Sequence, residues 1–183
     1  CSTPLHSGCG GNGFANALTL TYISVGDIDK DNSLDILFTG NAGVWATNNL
    51  GELKPGFPII YNPNSIRSAP NGVPLIGQLD SDNELEFTVS LFLSHTTSND
   101  PIVDFYAFNH DGSIVQGFPK KVKSNLSVDG VQIADLDNDG HNEIIAVDLI
   151  SRIYIWNSIG QTEQAWGKFY FNEQHTGCFN CSS

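Results

Sequence analysis

The residues with the clearest chemistry are carboxylates set at alternate positions. In the run ADLDNDGHNE, Asp135, Asp137 and Asp139 stand two residues apart, Gly140 follows and Glu143 closes the loop. Alternate residues of a short loop can aim several carboxylates at one centre, where they repel unless a hard divalent cation lies between them. The pattern occurs three times and aligns without a gap: GDIDKDNSLDIL, GQLDSDNELEFT and ADLDNDGHNEII. By analogy with calcium loops, positions 1, 3, 5 and 9 are expected to supply side-chain oxygens and position 7 a backbone carbonyl. The first loop then offers Asp27, Asp29, Asp31, the Ser33 carbonyl and Asp35. The third offers Asp135, Asp137, Asp139, the His141 carbonyl and Glu143. The second begins with Gln78 and relies on Asp80, Asp82 and Glu86, with Glu84 at position 7. Two strong Ca2+ sites and one weaker site are therefore expected. Position 6 needs a positive φ, which Gly140 adopts freely and Asn32 and Asn83 next most readily.

The loops must be held by strands. After each loop comes an apolar run (LDILF, LEFTVSLF, NEIIAVDL), and then an aromatic block ending in glycine (VWATNNLG, FYAFNHDG, IYIWNSIG). Six residues beyond Gly51, Gly112 and Gly160 stand Phe57, Phe118 and Trp166, the first two within Gly-Phe-Pro. Each unit thus predicts four short strands: one before the loop, one after it, the aromatic strand and the strand carrying Gly-Phe-Pro. The glycine ending each aromatic block reads as a hairpin turn, most clearly in Asp111-Gly112. Ile144 to Val147 is a nearly continuous apolar run, expected to be buried on both faces. Leu18 to Val25 alternates as the first strand, while the Pro-containing stretch Asn62 to Pro74 and then Lys120 to Gly130 read as crossings between units.

Four strands in 50-odd residues is the pattern of a β-propeller blade. The expected fold is all-β, a β-propeller-like array of about three four-stranded blades. The repeats fall at about 17–68, 69–125 and 126–177, between an irregular Cys/Gly-rich arm at 1–16 and a tail at 178–183. Closed propellers have four to eight blades. Three would leave open sheet faces, to be completed by the termini, by neighbouring copies or by further sequence.

These blocks resemble FG-GAP or VCBS repeats, the calcium-bearing blades of integrin α-like propellers and many secreted bacterial proteins. The resemblance covers about Thr19 to Gly177, and its most specific part is the Asp-x-Asp-x-Asp-Gly-x-x-Glu of the third unit. WGKFYFNEQHTGC also resembles the segment that often follows a last blade in that family.

The formal net charge of −12 does not describe a broad acidic field, because the three loops hold twelve of the 20 acidic residues. Nucleic acid and anionic membranes are disfavoured as partners, and no apolar run is long enough to span a bilayer as a helix. The cysteines, Cys1, Cys9, Cys178 and Cys181, lie only near the ends. Cys178-Phe-Asn-Cys181 has the spacing of a redox pair or half a zinc site, but disulfides in an oxidising compartment are the plainer reading, with the pairing open. Cys1 also admits a lipidated N-terminus. Asn125-Leu-Ser and Asn180-Cys-Ser are glycosylation sequons, and the absence of Met fits a processed, exported chain.

The five histidines (His6, His95, His110, His141, His175) fall in no catalytic spacing, and Trp45, Trp156 and Trp166 read as blade core before sugar platforms. The expectation is a non-enzymatic, calcium-rigidified module, extracellular or at the cell surface, that assembles head to tail with copies of itself as a filament or surface-layer subunit. The alternatives are an adhesion or carbohydrate-binding propeller that uses Ser94 to Pro101 on one rim to hold surface glycans or proteins, and an accessory part of a polysaccharide-degrading enzyme.

Overall fold

The computed structural model describes residues 22–40, 43–60, 70–93, 102–123, 128–148, 150–161 and 164–166. The four cysteines, Asn125, Asn180, the insertion at 94–101, the arm at 1–16 and the tail at 178–183 lie outside the described residues. Within them every regular element is a strand: β1 (Tyr22–Gly26), β2 (Asp35–Gly40), β3 (Gly43–Thr47), β4 (Ile59–Ile60), β5 (Pro70–Gly77), β6 (Glu86–Leu93), β7 (Ile102–Phe108), β8 (Lys120–Lys123), β9 (Val128–Ala134), β10 (His141–Asp148), β11 (Ile153–Gln161) and β12 (Gln164–Trp166).

They form three antiparallel sheets in the orders β1-β2-β3-β4, β12-β5-β6-β7-β8 and β11-β10-β9. The first two units supply the expected four strands. The third differs: among the described residues its sheet has three strands, and the segment ending in Trp166 pairs with β5 of the second sheet instead. No closed propeller is formed among the described residues.

The sheets stack through the alternation of the middle one. Ile76, Phe87, Val89 and Phe108 face the first sheet and meet Leu37, Val44 and Ala46, with Ile28 of the first loop beside them. Leu75, Phe105 and Ala107 face the third sheet and meet Ile133 and Ile144. Period-2 alternation thus gives the middle sheet two apolar faces. The innermost strands β1 and β9 both lie against β5, and β12 extends the β5 edge. Trp45 is buried and stacks on Phe38, and Trp156 stacks on Phe105 across the second interface at 5.3 Å.

Several local expectations change. The stretch Asn62 to Pro74 contains the start of β5, with Pro74 inside a register irregularity between Asn71 and Leu75, where a missing N–H costs no ladder bond. Val147 is exposed and Ile145 half-buried, because they alternate with Ile144 and Ala146, whose face is packed on the second sheet. Gly51 and Gly112 do turn the chain, with φ of 80° and 82°. Gly160 does not: it lies within β11, where the position of a Cβ would fall 2.3 Å from the Gln78 carbonyl. Its missing side chain lets the third sheet dock on the second.

Candidate metal centres

Each acidic loop joins two adjacent strands of one sheet: β1 to β2, β5 to β6 and β9 to β10. In the first and third loops the leading aspartate organises the turn. Asp27 accepts the Asp31 and Asn32 N–H groups at 3.0 and 2.9 Å, and Asp135 accepts those of Asp139 and Gly140 at 3.1 and 3.0 Å. Turning those amides inward takes the backbone left-handed at positions 4 and 6, so Lys30, Asn32, Asn138 and Gly140 have φ of 57°, 67°, 60° and 92°.

The second loop is built the other way round. An amide leads it, and Gln78 Nε2 donates to the Asp82 and Glu84 carbonyls at 2.6 and 3.0 Å. Two carbonyls now face its Nε2, while its Oε1 accepts the Asp80 N–H at 3.2 Å. Neither Ser81 nor Asn83 is left-handed, so the positive φ expected at Asn83 is absent. The Glu84 carbonyl, the expected position-7 donor, is already engaged by Gln78.

In each loop one carboxylate oxygen apiece from three residues lies within 4.8 Å of the other two: Asp27, Asp29 and Asp31; Asp80, Asp82 and Glu86; Asp135, Asp137 and Glu143. Two like charges 4 Å apart repel by about 4 kcal/mol at the effective dielectric of a protein surface, so each group favours a cation. Of the other candidates, Gln78, Glu84 and Asp35 stand outside these groups, Asp139 accepts the His141 N–H, and the Ser33 N–H donates to Asp31. The His141 ring meets the Ile159 carbonyl at 3.2 Å.

The closing residues separate the loops. Glu86 and Glu143 are 0% and 3% exposed. Each spends Oε2 on the loop backbone, Glu86 accepting the Leu79 and Asp80 N–H groups and Glu143 the Leu136 N–H. Each leaves Oε1 buried with no hydrogen-bond partner among the described residues. An orphaned buried carboxylate oxygen is costly, and within an acidic group it fits a hard, oxygen-seeking cation. Burial, reinforced by the Asp80 and Asp82 charges, pushes the Glu86 carboxyl up to about 8 despite its N–H donors. Burial and the neighbouring Asp80 and Glu84 charges also push Asp82 up.

The first loop closes with Asp35, which accepts the Ile28 N–H on Oδ2 at 3.1 Å. Its Oδ1 meets Lys54 Nζ at 2.8 Å, and the same ammonium reaches Asp29 Oδ2 at 2.6 Å. Burial opposes the charge of Lys54, but Asp29 and Asp35 more than offset it and hold the amine above its ordinary range. Burial pushes Asp35 up, with Lys54 acting against the shift. The loop motif gave no sign of Lys54, which stands 25 residues after Asp29. Alignment of the repeats could have found it, since it matches Val115 of the second unit.

The loops also touch in sequence. The Leu85 N–H donates to the Ile28 carbonyl at 2.8 Å, and Asn142 Nδ2 donates to the Gln78 carbonyl at 3.0 Å. Ordering one loop therefore braces the joint to its neighbour. Beside the second loop lies a cavity of about 400 Å³ lined by Asp80, Asp82, Phe118, Lys120, Asn157 and Ser158 among others. No helix among the described residues is long and apolar enough to cross a membrane. Comparison with family models, with curated proteins and with solved structures finds no match.

Proposed function

We propose that this chain is a non-enzymatic, calcium-stapled module of an extracellular or cell-surface protein, built from FG-GAP/VCBS-type repeats and working by assembly with copies of itself. The observation that carries the calcium reading is the pair of orphaned oxygens, Glu86 Oε1 and Glu143 Oε1, each buried in an acidic group. Asp80, Asp82 and Glu86 would hold one ion, and Asp135, Asp137 and Glu143 another. Each ion would supply charge neutralisation between two strands, and the bonds between successive loops would carry that order across the sheet joints. Cysteines confined to the ends and two sequons support the extracellular assignment. The outward Ile153, Ile155 and Ile159 of β11, an edge strand among the described residues, are exposed, which supports a second copy as the partner.

Thermal unfolding and light scattering, each in calcium and in chelator, test this reading. A higher midpoint and larger particles in calcium are expected. An unchanged midpoint overturns the staple, and a monomer at every concentration overturns the assembly. The cavity beside the second loop favours carbohydrate binding as a second reading, since Phe118 offers a ring and Lys120, Asn157 and Ser158 offer polar groups. Calcium-dependent hits on a glycan array would support it, and a blank array would dismiss it.

A further inference from the structure

The three acidic loops align residue for residue, yet their closing carboxylates meet different things. Glu86 Oε1, Glu143 Oε1 and Asp35 Oδ1 all lack a hydrogen bond of good geometry among the described residues, but Asp35 Oδ1 has a cation against it. Asp35 Oδ1 meets the Lys54 ammonium at 2.8 Å, and that ammonium also reaches Asp29 Oδ2 at 2.6 Å. Lys54 is not a surface side chain that has folded over: it is 8% exposed. Its backbone is clamped, with its N–H donating to the Ala46 carbonyl and its own carbonyl accepting the Phe57 N–H. Val115 makes the same two backbone bonds in the second unit, to Ala107 and from Phe118. There the side chain is an apolar core residue, 3% exposed, and lines the cavity beside Asp80 and Asp82. At one structural position, then, one repeat places a valine beside its acidic loop and another places an ammonium inside it.

We infer that Lys54 is a resident cation of the first loop, standing where a metal ion stands in the second and third, so that the first loop is ordered without calcium. An ammonium has donors and no acceptor, so it and a divalent ion cannot share the oxygens of Asp35 and Asp29 without repulsion. Asp29 Oδ1 remains as a buried acceptor. With the closing carboxylate and the other Asp29 oxygen already held, the first loop lacks the donor set that its sequence advertises. The inference rests on the calcium reading of the other two loops, and the test separates the two.

Native mass spectrometry of the full chain at saturating calcium counts the ions bound by the wild type, by Lys54→Val and by Asp27→Asn. Lys54→Val copies the second unit and is expected to bind one ion more than the wild type. Asp27→Asn, which removes a carboxylate of the first loop and leaves Lys54 in place, is expected to bind as many ions as the wild type. The inference is overturned if Lys54→Val gains no ion, or if Asp27→Asn loses one while the wild type binds calcium. Should Lys54→Val not fold, the Asp27→Asn count decides alone. A wild type that binds no calcium overturns the staple reading itself, and this inference with it.

Discussion

The first and third acidic loops share a motif, a strand-to-strand setting and the same pair of backbone bonds to a leading aspartate. They part at the residue that closes them. Asp35 is met by an internal ammonium, whereas Glu143 holds a buried oxygen out to nothing within the described residues. Negative charge at a loop can be balanced covalently, by a lysine the chain carries with it, or conditionally, by an ion drawn from solution. The first solution makes the β1–β2 loop indifferent to its surroundings. On the proposed calcium reading, the second would make the joints around the second and third loops respond to calcium.

Metal removal is expected to have the largest effect. An ion held at about 100 times its dissociation constant stabilises by about 2.7 kcal/mol. Two such ions correspond to a melting shift on the order of 10–20 °C for a chain of this size. Calorimetry in calcium and in chelator reads the shift directly. A Glu86→Gln, Glu143→Gln double variant should lose most of it, and retention of the full shift would move the ions to the first loop.

Next comes Lys54→Val in chelator. Removing one partner of a buried ion pair costs about 3 kcal/mol, here toward the low end because Asp29 is part exposed. In urea unfolding the loss should be clear in chelator and small in millimolar calcium, where an ion can take the place of the ammonium. An equal loss in both would mean that Lys54 is mere packing.

The sheet joints offer a smaller contrast. Gly56 of the first unit lies against the Asp111 carbonyl of the second, and Gly160 lies against the Gln78 backbone, where a Cβ would meet atoms at 2.3–2.5 Å. Gly160→Ala is expected to cost about 1–3 kcal/mol of stability by overpacking. It should also weaken calcium binding at the second and third loops more than any response of the first loop, as read by calcium titration.

A pH dependence is expected only without metal. Burial raises the folded pKa of Glu86 to about 8, from an ordinary 4.5. The protonated form is therefore favoured by folding. Its contribution is full below about pH 4.5 and is lost as the pH rises towards 8. Unfolding in chelator should show Glu86→Gln flattening this slope, while calcium affinity rises over the same range because the ion needs the carboxylate.

Much of this was legible in the sequence. The alternate-position acidic spacing located all three acidic groups, and the aligned apolar blocks marked the strands of the first two units. Strand patterns did not disclose partners, which depend on distant residues. Nothing local in Gln164–Trp166 says that it will pair with β5, and Gly160 has the sequence of a turn but the duty of a close contact. Asn83 lacks the positive φ expected of it because a glutamine, and not an aspartate, leads the second loop. Its Nε2 donates to the Asp82 and Glu84 carbonyls, a role an aspartate cannot fill, and those two peptides turn their carbonyls to it. Lys54 escaped because a motif read along the chain does not show what a residue 25 positions later places inside it.

Hydrogen–deuterium exchange of the three loops, in chelator and then in calcium, tests the central claim most directly. Calcium is expected to protect the amides of Leu79 to Glu86 and Leu136 to Glu143. Those of Ile28 to Asp35 should already be protected in chelator and change little. An equal gain of protection in all three loops, or none in any, would contradict the division between a lysine-held loop and two ion-held ones.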